Sequence, residues 1–112
     1  RMETNKLNVV LDLCKSVDES FRVTTLQIFL SISDNEYLGN DPLMITDFTK
    51  LHHLTLASAS RHCMLLSETR RQGDDGMGLI QITTNPLSRN AKQLNLTTKG
   101  KRLYDSIRAV LT

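Results

Sequence analysis

The chain has 112 residues, 39% hydrophobic and 23% charged, which suits one globular domain and leaves no room for a second core. Aromatics are 4% with no Trp, so the core must rest on Leu, Ile, Val, Met and Ala, and so short a chain gains from self-association. Residues 1–56 hold 5 Lys/Arg against 8 Asp/Glu and residues 57–112 hold 9 against 4, so a net charge of +2 hides a basic second half suited to a polyanion.

The first pattern is Leu7, Val10, Cys14, Val17 and Phe21, spaced 3, 4, 3, 4, with Leu11 widening the stripe. It predicts a helix over residues 4–18 with an a/d seam. A second helix is expected to start with Thr24 or Thr25 as N-cap and to carry Leu26, Phe29, Leu30 and Ile32. Asp34-Asn35-Glu36 and Gly39-Asn40-Asp41-Pro42 are expected to end it. Thr46 is expected to cap a short third helix, with Asp47 in its first turn and Phe48, Leu51 and His52 on its inner face. Thr55 then caps a fourth helix over residues 56–70, which buries Ala59, Cys63 and Leu66 and turns Ser58, Ser60, Arg61 and His62 elsewhere.

The period changes after the polar break at residues 72–76. Leu79-Ile80-Gln81-Ile82-Thr83 predicts one strand and Gln93-Leu94-Asn95-Leu96-Thr97 a second, joined by a long polar tip over residues 85–90. A last helix over residues 98–111 carries Leu103, Ile107, Val110 and Leu111 on one face. Closely joined third and fourth helices followed by a hairpin predict a mainly α winged helix-turn-helix in a single domain, residues 1–112. Its helix-turn-helix would span residues 46–70 and its wing residues 77–97.

Ile45 to Glu68 read ITDFTKLHHLTLASASRHCMLLSE. This stretch resembles, without a gap, the MarR (multiple-antibiotic-resistance regulator) pattern I-S-E-L-A-x-x-L-x-L-S-x-S-T-V-S-R-x-V-x-x-L-E. Downstream, Leu96-Thr97-Thr98-Lys99-Gly100 is similar to the family's L-T-x-K-G entry to the next helix, and the preceding stretch from Asn85 to its wing. The resemblance covers roughly residues 20–111 and implies a MarR-like regulator of transcription, with repression expected. It also implies a homodimer formed through the terminal helices, residues 1–21 and 98–112, with contacts from Leu7, Val10, Leu11, Cys14, Val17, Leu103, Ile107, Val110 and Leu111. An effector lodged between those helices and the DNA-binding lobe is implied too, but no convergent polar set identifies it. The sequence departs from the family where Ser88 and Asn90 replace a wing Asp and Arg, with Arg89 between them. His53 stands where a turn Gly is frequent, and the final helix stops earlier.

The residue chemistry supports double-stranded DNA as the partner independently. A helix entering the major groove needs small residues where it nears the backbone and long donors where it meets base edges. Ala57, Ser58 and Ser60 supply the former; Arg61 and His62 supply the latter. Thr46 and Thr55 offer hydroxyl and backbone N–H groups to phosphates. Arg70 and Arg71 would reach neighbouring phosphates, and Ser88, Arg89, Asn90 and Lys92 would act from the wing. Two other readings stay open: a winged-helix protein-interaction module, and a DNA-binding module of a replication or partition protein.

Cys14 and Cys63 match no metal spacing and read as buried thiols in a reducing, cytoplasmic compartment. His52 and His53 point about 100° apart on a helix and make a poor metal pair, so His52 is expected to be partly buried. No nucleophile with its base, phosphate-binding Gly loop or carboxylate pair is present, so neither catalysis nor a cofactor is expected. No apolar run is long enough to span a bilayer and no signal peptide is evident. Arg1 ahead of Met2 reads as a cloning remnant or a fragment boundary.

Overall fold

The structure, a computed structural model, describes residues 4–68, 76–85 and 87–112, with backbone only at residues 85 and 88–91. Among the described residues, five helices and three strands run in the order α1 (Thr4–Val17), α2 (Val23–Tyr37), β1 (Leu43–Met44), α3 (Asp47–Leu51), α4 (Leu56–Leu66), β2 (Ile80–Asn85), β3 (Ser88–Leu96) and α5 (Thr98–Leu111). This is the expected winged helix-turn-helix architecture, with a larger wing than the sequence suggested.

α2 is the scaffold on which the other elements pack. Its Ile28, Phe29, Ile32, Thr25 and Ser33 are buried, and Phe29 meets the edge of the Phe21 ring at 6.2 Å. Two expectations about this helix fail. Arg22 holds the N-cap position without a side-chain cap, while Thr25 lies inside the core. The helix also runs through Asp34-Asn35-Glu36, because these residues have tertiary partners. Tyr104 Oη donates to Asp34 Oδ1 at 2.5 Å, and Glu36 Oε1 accepts from the Leu96 amide at 3.0 Å. Asn35 Nδ2 donates to the Asp41 carbonyl at 2.7 Å. Burial and the bond to Asp34 push the Tyr104 phenol up to about 12.

The wing is a three-stranded antiparallel sheet in the order β1-β3-β2. β1 pairs Leu43 with Leu94 and Met44 with Gln93, tying the segment before α3 to the central strand. A two-residue strand has no period to detect, so the sequence pattern missed it. The expected long tip is also corrected: pairing continues to Asn85 opposite Ser88, with a register shift between Thr84 and Asn85.

α1 packs against α5, and this consumes much of the apolar seam. Val10, Cys14, Leu103 and Ile107 are buried within this one chain, and Val17 and Val110 are half-buried. Leu7, Leu11 and Leu111 are exposed by 54%, 37% and 52%, so only part of the seam remains on the surface. Helical periodicity identifies an apolar face but not whether it meets the same chain or a second copy.

Residues 76–79 connect the two ends of the fold through their backbone. The amides of Gly76, Met77, Gly78 and Leu79 donate to the carbonyls of Glu68, Leu65, Ser67 and Leu66, at 2.8–3.0 Å. On the other side, the Gly78 carbonyl accepts from Thr97 Oγ1, that of Met77 from Lys99 Nζ and that of Leu79 from the Thr97 amide. Thr97 also caps α5, its hydroxyl oxygen accepting from the Gly100 amide. A Cβ on Gly100 would collide with the Leu79 carbonyl oxygen.

Gly100→Ala tests this junction. Alanine favours a helix by up to about 1 kcal/mol, but a collision with backbone cannot be relieved by a rotamer change. A net loss of about 1–3 kcal/mol is expected, read as a lower urea midpoint. An unchanged midpoint would show that the junction yields freely.

Candidate nucleic-acid interface

The two helices of the central motif are separated by a turn over residues 52–54. The Phe48 carbonyl accepts from the His52 amide at 3.1 Å and from the Leu54 amide at 3.4 Å. His53 adopts φ 55°, the left-handed conformation that costs a non-glycine residue roughly 1–2 kcal/mol. A glycine, which the family resemblance leads one to expect here, would adopt that conformation without the cost.

Thr55 caps α4 as expected, its Oγ1 accepting from the Ser58 amide at 3.1 Å. Thr46 occupies the N-cap position of α3 but makes no side-chain cap. Asp47 instead turns back, and its Oδ2 accepts from the Met44 amide at 2.8 Å. Thr46 is exposed.

α4 has two distinct faces. Ala59, Cys63 and Leu66 are fully buried, spaced 4 and 3 along the helix. Burial pushes the Cys63 thiol up to about 12 and also raises Cys14, so both thiols are held in the protonated form that packs inertly. Ala57 and Arg61 are exposed, and Ser58, Ser60 and His62 are half-buried. The helix ends at Leu66 rather than continuing to residue 70. Arg70 and Arg71, and most of the polar break, lie outside the described residues.

The wing faces this helix across an open groove of about 610 Å³. Ile45, Met64, Ile80 and Ile82 give it an apolar floor, while Ser60, Ser67, Thr83 and Lys92 contribute polar groups. Lys92 is exposed and pairs in register with Thr84. Ser88, Arg89 and Asn90 have their backbone in β3, but their side chains lie outside the described residues. The structure therefore brings Ser60 and Lys92 to one groove, with Arg61 at the exposed surface of α4.

Two of the three motif histidines, His62 and His52, have partners on α2. His62 Nδ1 and Thr25 Oγ1 lie 3.0 Å apart, and His52 Nε2 and Ser31 Oγ lie 2.9 Å apart. His52 also stacks on Phe48, with ring centroids 6.0 Å apart and planes 12° apart, and is half-buried as expected. Desolvation, followed by the charges of Arg61 and Arg22, lowers the His62 pKa and favours its neutral form. Leu51 corrects the expected inner face of α3, since it is 53% exposed. Leu56, exposed by 54% in the first turn of α4, is a surface residue that sequence reasoning missed. Its place in the first turn of α4, directly after the N-cap Thr55, was the signal that could have found it. Among the described residues, no three His, Cys, Asp or Glu side chains gather to hold a metal, and no helix is long and apolar enough to cross a membrane.

The sequence matches no protein-family model and no curated protein. In three dimensions the chain is similar to a mutant of MarR from E. coli, solved in complex with operator DNA. The TM-score is 0.67 at 14% identity, over 96% of this chain and 66% of that one. It is also similar to a MarR-family transcriptional regulator from a Rhodococcus species, with a TM-score of 0.65 at 18% identity, over 99% of this chain and 68% of that one. A MarR-like transcriptional regulator from Thermotoga maritima gives 0.62 at 17% identity, over 95% and 70%. The chain thus spans about two thirds of the length of these proteins. At these identities the likeness establishes the fold, a MarR-like winged helix.

Thr55→Ala should remove the cap of α4 without touching its buried face. A loss of about 1 kcal/mol is expected in a urea titration. A stability equal to that of the parent would mean that water replaces the hydroxyl at no cost.

Proposed function

We propose that the chain binds double-stranded DNA in a sequence-specific way and regulates transcription as a dimer, acting as a repressor. The observation that carries this reading is the exposed Arg61 on a capped helix whose opposite face is locked into the core. A rigid helix can hold a guanidinium in register with base edges, and Arg donates two bonds to guanine O6 and N7. Ala57 and Ser58 give the helix small side chains in its first turn, where Leu56 adds an exposed apolar group, and Thr46 and Thr55 stand where hydroxyls can meet phosphates. Lys92, with Ser88, Arg89 and Asn90, would contact backbone or minor groove from the wing, and Arg70 and Arg71 would add phosphate contacts. The likeness to a MarR structure solved with operator DNA supports this reading.

Dimerisation would bring two recognition helices to successive major grooves about one turn apart. The exposed Leu7, Leu11 and Leu111 would supply its apolar contacts. Val10, Cys14, Leu103 and Ile107 would support that face from beneath, with Val17 and Val110 at its border. The proposed role is binding, with no chemical step, and two buried thiols fit a cytoplasmic setting.

Selection from a random DNA pool, followed by fluorescence anisotropy, tests the proposal. The parent should select a pseudo-palindromic site and lose affinity steeply as salt rises. Arg61→Ala should weaken that site by about 1–3 kcal/mol and relax preference at one position. Failure to enrich any sequence, or binding indifferent to salt, would sink the reading. Sedimentation of the free protein should give twice the chain mass.

A further inference from the structure

We infer that His52 and His62 are positioning residues that pin the two helices of the reading motif to α2, through opposite ring nitrogens, rather than contacts to DNA. The inference rests on the DNA-binding reading only for what the pinned helices do, not for the pins themselves.

Each histidine reaches back toward the scaffold. His52 closes α3, and its Nε2 lies 2.9 Å from Ser31 Oγ. His62 lies in α4, and its Nδ1 lies 3.0 Å from Thr25 Oγ1. Thr25 is fully buried, so its hydroxyl has little access to water as an alternative partner. A buried hydroxyl left without a partner is costlier than one never placed there, which gives the His62 bond its leverage. Ser31 and Thr25 both belong to α2, so two short contacts fix α3 and α4 to one rigid element. The turn between them is held by backbone bonds at 3.1 and 3.4 Å and includes the left-handed His53. The pins therefore restrict the orientation of both helices where the turn alone leaves them less constrained. Misplacing a recognition surface by about 1 Å weakens every contact together, which is how a residue that touches no DNA controls affinity.

The two ring nitrogens make the inference separable from direct base reading. An Asn amide reaches the position of a histidine Nδ1, and a Gln amide the position of Nε2. His62→Asn and His52→Gln should therefore keep their pins and bind within about twofold of the parent. His62→Gln and His52→Asn should lose them and bind about two- to tenfold more weakly, by the same factor on every variant of the selected site. If His62 instead reads bases through Nε2, Gln would rescue, Asn would fail, and preference would change at one base pair; that result overturns the inference.

Hydrogen exchange of the α3 and α4 amides, measured without DNA, supplies an independent arm. Faster exchange is expected in His62→Gln and His52→Asn than in their counterparts, and equal exchange in all four overturns the inference. If the parent binds no DNA but the exchange ranking holds, the pins stand and only the DNA-binding reading falls. Should neither His62 variant fold, Thr25→Ser, which keeps the hydroxyl, and Thr25→Val, which removes it, replace them. Exchange in α4 should then be faster in the valine chain, and no difference again overturns the inference.

Discussion

The constraint on which this structure depends is the closure of the C-terminal end of α4. The last carbonyls of a helix have no intrahelical donors and must be satisfied from outside. Here the amides of residues 76–79 satisfy the carbonyls of residues 65–68, one for one. The same short segment offers its own carbonyls to Thr97 and Lys99 at the start of α5. The fourth and the final helix are therefore joined through the backbone of this segment, by main-chain bonds on the α4 side and by one main-chain and two side-chain donors on the α5 side. This also gives the Leu96–Gly100 motif a structural meaning. The first of its two threonines, Thr97, caps α5 and binds the segment, its lysine reaches the Met77 carbonyl, and its glycine allows the Leu79 carbonyl to approach.

With that end secured, α4 can be buried on one side and exposed on the other. Ala59 and Cys63 are small enough to bring it close to α2, and the residues between them, Ser60, Arg61 and His62, occupy the flanks and outer face. Polar contacts then refine what apolar packing orients only loosely. Glu36 and Asp34, near the end of α2, reach the β3 backbone and α5 respectively. The sheet, α5 and α4 thus all refer to the same central helix.

The terminal helices show how one apolar pattern can be divided between core and surface. Leu7, Val10, Leu11 and Cys14 share one helical stripe, yet Val10 and Cys14 are buried and Leu7 and Leu11 are not. An isolated seam cannot distinguish these fates, because burial depends on where α5 crosses it. The exposed remainder is what a second copy could cover.

Much of the fold was legible in the chain itself. The positions of α1 and α5, the start of α4 with its cap at Thr55, the buried trio Ala59, Cys63 and Leu66 and the central stretches of the two longer strands follow from local periodicity and hydrogen-bonding chemistry. These signals act over a few residues, so neighbours in sequence suffice to express them. Tertiary structure alone decided the extension of α2 through its acidic residues, the pairing of β1, the partners of His52 and His62 and the division of the apolar seam. Each depends on groups far apart in the chain meeting at hydrogen-bond or van der Waals distance, and residue type at one position carries no record of what folding will place beside it.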